Sequence, residues 1–198
     1  MKLYLTANSG NAYKVRILLS LLKVAHEQVI VDTKSQAHKQ EPFLKLNPRG
    51  EVPVLEDDGA VVWDSAACLV YLARKHGGEQ WLPLAPGPMA QVMQWLALAG
   101  NEIQFGLQYA RRGVLQGRWT AGTLEQGQAL GRVALGAMER RLKDHPWLAM
   151  DRPTIADVAC YPYTETAPDA KVPLDPYPAV RAWLARCKAL PGWAAREI

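Results

Sequence analysis

The stretch that decides the fold is Val52-Pro53-Val54-Leu55, followed by Asp57-Asp58-Gly59, Ala60 to Trp63, and then Asp64-Ser65. Proline cannot donate to a strand ladder, so Pro53 belongs at the edge or opening of a short strand. The Asp-Gly pair is the turn chemistry of a tight hairpin, which makes Ala60 to Trp63 the returning strand. Asp64 and Ser65 then stand at the mouth of a helix, where side-chain oxygens cap free N–H groups. A strand opening beside a helix start gives a backbone-lined site suited to a small peptide that carries a carboxylate.

Working outward, Lys2 to Thr6 alternates as a strand with Leu3 and Leu5 on one face. A helical stripe of Ala12, Val15, Leu18, Leu19 and Leu22 follows, giving a helix over Ala12 to Lys23. Glu27 to Asp32 is a second, β-branched strand, and Ser35 to Leu46 is polar with room for one short helix. Ser65 to His76 is the next helix, closed by Gly77-Gly78. The order β-α-β-α-β-β-α is that of a thioredoxin-like α/β domain, with the first two strands parallel across a right-handed crossover.

Beyond a connector rich in proline (Pro83, Pro86, Pro88) only helical periodicity remains, so the second half is all-α. Val92, Trp95, Leu96, Ala99 and Ile103 form the stripe of a long helix reaching to about Arg112. A second stripe runs through Leu130, Val133, Ala134, Ala137 and Met138. Thr154-Ile155-Ala156-Asp157 is a capping-box pattern opening a helix that Pro162 should end or kink. A last helix covers Ala179 to Leu190. The expected division is residues 1–78, a linker over 79–87, and a helical domain over 88–198.

Composition bounds the function. The chain of 198 residues is 49% hydrophobic and 21% charged, ordinary for a globular protein, with a net charge of +4. Its basic residues are scattered and not interleaved with aromatics, so nucleic acid is not an expected partner. Met1-Lys2 leads straight into a strand, and the densest apolar stretch, Ile17 to Leu22, is too short to cross a membrane. Cys68, Cys160 and Cys187 form no disulfide framework, metal spacing or C-x-x-C pair. The expectation is a reduced, cytoplasmic protein without metal or membrane association.

Four motifs in order carry a family resemblance. Leu46-Asn47-Pro48-Arg49-Gly50-Glu51-Val52-Pro53-Val54-Leu55 resembles the cis-proline segment of the cytosolic glutathione S-transferases. Asp64-Ser65-Ala66-Ala67 is similar to their γ-glutamyl motif, and Arg152 to Asp157 to the folding motif of their helical domain. Ser9 to Arg16 is similar to the active-site entrance of the serine-type classes such as theta, phi and zeta. The resemblance implies glutathione as co-substrate, a small hydrophobic electrophile as acceptor, and a two-fold homodimer.

It also implies roles. Ser9 stabilises the glutathione thiolate, with Asn11 the local rival for that donor. Val52, beside a cis Pro53, pairs its backbone with the cysteinyl part. Asp64 and Ser65 hold the γ-glutamyl group, while His38 and Lys39 lie where side chains reach the glycyl carboxylate. Glu51 would oppose that carboxylate, leaving Lys39 or Arg49 to balance it. Asn101, Gln104, Phe105 and Gln108 are expected to border the electrophile pocket, although Phe105 and Tyr109, at i and i+4, could instead be a packing pair at a subunit interface.

The energetics are reasonable. Lowering a thiol pKa by ~2 units takes ~2.7 kcal/mol. One hydrogen bond to a charged group gives ~1.5–3 kcal/mol, and a helix N-terminus up to ~2 kcal/mol. By local pattern alone Ser9 and Asp64-Ser65 are ordinary helix starts, and a non-catalytic binding module, a glutathione-dependent isomerase and a peroxidase remain as alternatives. A thioredoxin-like redox protein is disfavoured by the missing C-x-x-C.

Overall fold

The computed structural model describes residues 1–117 and 119–196. The chain forms two compact units, Met1–Leu82 together with the segment from Pro191, and Pro83–Leu190.

In the first unit, β1 (Lys2–Leu5), β2 (Glu27–Ile30), β3 (Val54–Asp57) and β4 (Ala60–Trp63) make a sheet in the order β2-β1-β3-β4. The β1–β2 pair is parallel and the other two are antiparallel. Pro53 falls just before the ladder, as its missing N–H requires. The hairpin turns on Asp58 and Gly59, both with positive φ (+47° and +81°), matching the twist of the strands it joins. Leu3, Leu5, Val54 and Leu55 of the sheet are buried, as are Val15, Leu18 and Leu19 of α1 (Gly10–Leu21). This helix starts two residues earlier than its apolar stripe indicates, because Ser9 caps it.

The polar Ser35 to Leu46 stretch holds a 3-10 turn, Ala37–Lys39, and a single-turn α2, Phe43–Leu46. The helix after Ser65 runs as α3 (Ser65–Leu72) and a π turn (Ala73–Gly77), and a single turn, α4 (Gly78–Trp81), follows. Gly78, at φ +60° and ψ −158°, breaks the helical path after the π turn, as the Gly77-Gly78 stop requires, and a separate single turn follows it. A Cβ on Gly77 would lie 2.7 Å from the Trp81 ring, so this glycine also makes room for an indole.

An ion cluster ties the far end of the sheet. Lys75 Nζ donates to Asp57 (2.6 Å) and Asp58 (2.7 Å), Tyr71 Oη donates to Asp57 (3.0 Å), and the Met1 amine lies 3.9 Å from Asp57. The Lys75 hydrogen bond leads in holding the Asp57 carboxyl below its ordinary range, against the opposing effect of burial. The unfolded chain then binds more protons than the native one in acid. Stability from this group is complete at neutral pH and is lost as the pH falls through the carboxylate range. Asp57→Asn should therefore lower the melting temperature at neutral pH and flatten its fall between about pH 5 and pH 2; an unchanged slope would remove Asp57 from the acid response.

In the second unit, α5 (Pro86–Leu98), a π-helical segment (Ala99–Gln108) and α6 (Tyr109–Gln116) form one helical path. It begins with Pro86 in the first turn, inside the expected linker, and extends past Arg112 to an αL residue, Gly117. Val92, Leu96, Ala99 and Ile103 are buried as the stripe requires.

The second stripe is corrected. In α7 (Ala121–Asp144) Val133 is 59% exposed, and the buried face runs through Gly127, Gly131, Ala134, Leu135 and Met138. The reason is close backbone contact: a Cβ on Gly106 would stand 2.5 Å from the Gly131 nitrogen. Glycines, which carry no weight in an apolar count, mark the packed face.

Helix α8 (Ile155–Glu165) carries the full capping box between Thr154 and Asp157. Pro162 does not end it. The proline withholds one hydrogen bond, but every residue from Ile155 to Thr164 is buried, and packing all round the helix offsets the lost bond. Thr164 Oγ1 donates to the Cys160 carbonyl (2.8 Å) and Thr166 Oγ1 to the Pro162 carbonyl (3.1 Å), satisfying groups in the last turn. A 3-10 turn (Ala167–Ala170) and α9 (Pro178–Lys188) complete this unit. Among the described residues, no helix is long and apolar enough to cross a membrane.

Candidate active site

A cleft in the first unit gathers residues from three separate stretches of sequence. Asn11 comes from α1, Val52 and Pro53 from the approach to β3, Asp64 and Ser65 from the head of α3, and Trp63 from the end of β4. The empty space is about 230 Å³, its open mouth included. The Val52–Pro53 peptide is cis.

The loop that carries Val52 is fixed from beneath. Asn47 is buried, donates to the Glu51 carbonyl (2.7 Å) and accepts from the Arg49 N–H (3.0 Å). Gly50 sits at φ +58°, and a Cβ there would lie 2.5 Å from the His38 carbonyl oxygen. Only glycine fits that conformation and that approach.

Asp64 holds an unusual backbone conformation, φ +72° with ψ 131°. Such angles cost energy in a residue with a side chain and tend to occur at functional sites. Its Oδ1 accepts from the Ala66 N–H at 2.8 Å, so the carboxylate caps α3. Its Oδ2 lies 3.5 Å from Arg49, whose guanidinium also pairs with Glu51 at 2.9 Å. Ser65, buried at the first position of α3, turns its hydroxyl toward Asn11 Oδ1 at 3.5 Å. An anion-binding helix start and an acidic group for an ammonium thus lie side by side.

The structure separates other expected residues from this cleft. Ser9 caps α1, with Oγ accepting from the Ala12 N–H at 3.2 Å, and lines a neighbouring cavity with Tyr13. His38 and Lys39 back the 47–51 loop instead of lining the cleft. Lys39 Nζ donates to the Arg49 carbonyl (2.8 Å), and His38 Nδ1 is buried with no partner among the described residues. Burial, then the nearby Lys39 charge, pushes the His38 pKa down, with Glu51 opposing. Asn47 and Trp63 are cleft residues that sequence reasoning missed. The Asn-Pro-Arg-Gly run before Val52 held the signal for Asn47, since asparagine readily fixes turns.

Asn101, Gln104, Phe105 and Gln108 all lie on the π-helical segment of the second unit. Phe105 is 60% exposed, whereas Ile103 and Leu107 of the same segment are buried. Tyr109 stacks on Trp119 with ring centroids 4.4 Å apart. π turns recur at functional sites because their i→i+5 bonding shifts side chains off the helical register.

The cysteines are buried. Burial pushes the Cys68 thiol up to about 12 and the Cys187 thiol upward as well, so neither is a thiolate at neutral pH. Among the described residues no group of His, Cys, Asp and Glu could hold a metal ion.

The chain is similar to known proteins over nearly its whole length. Residues 8–75 match the model of the glutathione S-transferase N-terminal domain, and residues 123–191 that of the C-terminal domain. Glutathione S-transferase 1 of Manduca sexta is 34% identical over 96% of this chain and 88% of its own length. Maleylacetoacetate isomerase of Pseudomonas aeruginosa is 32% identical over 91% of this chain and 88% of its own. The crystal structure of a glutathione S-transferase from Pseudomonas fluorescens superposes with a TM-score of 0.93 at 32% identity, covering 100% of this chain and 98% of that one. A cis-proline cleft facing a capped helix, two domain models in order and full-length relatives agree: the chain belongs to the glutathione S-transferase family of enzymes.

Proposed function

We propose that the chain binds glutathione in the cleft of Val52, Pro53, Asp64 and Ser65 and passes its thiolate to a small hydrophobic electrophile. The observation that carries this reading is the convergence of the Val52 backbone, the Asp64-Ser65 helix start and Asn11 on one cleft. Asp64 takes the γ-glutamyl ammonium, displacing Arg49 to the glycyl carboxylate, and Ser65 takes the α-carboxylate.

Ser9 supplies the thiolate's hydrogen bond. Its oxygen accepts from the Ala12 N–H, which leaves the hydroxyl proton for the sulfur. Asn11 is the second candidate, favoured by its place in the cleft next to Ser65. Val52 pairs with the cysteinyl backbone, and Asn101, Gln104, Phe105 and Gln108 border the acceptor. The reading carries a cytoplasmic two-fold homodimer, which light scattering on the purified protein checks.

Titration with glutathione at neutral pH, following the ultraviolet thiolate band, is the test. A saturable band supports binding with activation; no band together with no calorimetric heat removes the proposal. In Ser9→Ala the bound thiol pKa should rise by about 1–2 units and turnover of an aryl halide should fall roughly tenfold to a hundredfold, the worth of one charge-assisted hydrogen bond. Full turnover in Ser9→Ala with loss in Asn11→Ala would assign the donor to Asn11. A second reading, glutathione-dependent isomerisation, is favoured by the isomerase among the relatives. Gly10 and Asn11 stand where the zeta pattern has Ser and Cys, which ranks it lower.

A further inference from the structure

The cleft that holds Val52 and Ser65 carries more acid than base. Of the described residues that line it, Glu51 and Asp64 are acidic and Arg49 is basic, one guanidinium between two carboxylates. Arg49 lies 2.9 Å from Glu51 and 3.5 Å from Asp64, and roughly half of each side chain is exposed.

The Arg49–Glu51 pair is built by the loop beneath it. The buried Asn47 side chain accepts from the Arg49 N–H at 3.0 Å and donates to the Glu51 carbonyl at 2.7 Å. One asparagine thus sets both residues, on either side of Gly50, with their side chains meeting at the cleft. Lys39 Nζ is bonded to the Arg49 carbonyl (2.8 Å), and Lys39 is not among the residues that line the cleft.

The direction of a bound peptide follows from the strand pairing. With a γ-glutamyl end at Asp64 and Ser65 and a cysteine on the Val52 backbone, the third residue has one way to go. Pro53 offers no N–H, and from Val54 onward β3 is paired on both sides, with β1 and β4. The third residue therefore passes along residues 49–51 and brings its carboxylate to Arg49 and Glu51. The γ-glutamyl ammonium takes Asp64 from Arg49, while Glu51 remains a partner of the guanidinium. One cation is then shared by two carboxylates, one from the protein and one from the ligand.

We propose that Glu51 sets the specificity of this cleft for the C-terminal end of the thiol peptide, so that the preferred co-substrate is a γ-glutamylcysteinyl peptide with a neutral or cationic end: an ester, an amide or a conjugate with an amine. The proposal rests on the reading of the cleft as a glutathione site and names the form of the peptide that its charges fit. A free carboxylate loses part of the attraction of Arg49 to Glu51, whereas an ammonium gains Glu51 as a partner.

Calorimetry with three thiols of one skeleton tests this: glutathione, its glycyl ethyl ester, and its glycyl amide with propanediamine. The wild-type protein should bind the ester at least as tightly as free glutathione. It should bind the diamine amide about twofold to fivefold more tightly, the scale of half-exposed ion pairs. Glu51→Gln should reverse the order, strengthening free glutathione and weakening the diamine amide by similar factors. Arg49→Gln should weaken free glutathione most. Raising the salt from about 20 mM to about 500 mM should draw the three affinities together.

A loosened loop would weaken all three ligands alike, so a change of order separates charge from structure. Tighter binding of free glutathione than of the diamine amide by the wild-type protein overturns the proposal, and so does an order that Glu51→Gln leaves unmoved. If none of the three binds, the glutathione reading itself fails. If all bind in the wrong order, only the role of Glu51 does.

Discussion

Asp157→Ala is expected to destabilise the chain by roughly 3–5 kcal/mol, since it leaves three buried donors without an acceptor at about 1–3 kcal/mol each before relaxation. The carboxylate is fully buried and accepts from the Leu148 N–H (3.1 Å), the Thr154 N–H (3.0 Å) and the Trp183 indole (2.9 Å). Those donors lie on the segment before α8, on its cap and on α9, so one side chain joins three parts of the helical unit. Burial pushes this carboxyl above its ordinary range despite the donors around it. Thermal melting should show a fall on the order of 10 °C, at about 2–4 °C per kcal/mol for a chain of this size. Asp157→Asn keeps the shape and one acceptor, so a smaller loss is expected. A melting point within about 2 °C of wild type in Asp157→Ala would overturn the assignment.

Gly106→Val is expected to be comparably severe, by overpacking at a point where nothing can give. A Cβ at this position meets Gly131 N at 2.5 Å, Gly131 Cα at 2.8 Å and the Leu130 carbonyl carbon at 3.0 Å, all backbone atoms. Flexible side chains can turn aside, but a packed helix backbone must move as a body, at a cost of about 1–3 kcal/mol or more. Gly100 is the control. It lies on the same π-helical segment, and a Cβ there meets nothing within 4 Å. Gly100→Ala should leave chemical denaturation unchanged or raise the midpoint slightly, by removing freedom from the unfolded chain. Equal effects at the two glycines would refute the close-packing account.

The parts of the fold that the sequence revealed are those decided by local chemistry. Pro53, the Asp58-Gly59 turn and the Thr154–Asp157 capping box each dictate a backbone geometry within a few residues, and each stands where the sequence places it. The apolar stripe running from α5 into the segment after it was legible because Val92, Leu96 and Ala99 recur at helical spacing.

What escaped was set by contacts between distant residues. The π register over Ala99–Gln108 leaves no mark in a period of 3.6, and Val133 misled because the packed face of α7 runs over glycines. Pro162 misled because the cost of a helical proline is local, whereas the burial that offsets it is not. In the candidate site, the motif residues Asn11, Val52, Pro53, Asp64 and Ser65 converge on one cleft, whereas Lys39 is bonded to the loop behind it. Arg49, one of the two residues expected to balance Glu51, pairs with it at 2.9 Å, whereas Arg196, which lines the cavity beside Ser9, lies 187 positions from Ser9 in sequence, with no motif to connect the two.

The Tyr13–Ala194 hydrogen bond spans 181 residues, and this separation has a consequence for synthesis. At about 5–20 residues per second, the ribosome needs roughly 10–40 s between making Tyr13 and making its partner. Throughout that interval the first unit can form its sheet while the Tyr13 ring and the wall of the Ser9 cavity stay uncovered. The unit that starts first is therefore completed only after the entire helical unit has been translated, and expression of residues 1–82 alone would yield it with that wall missing.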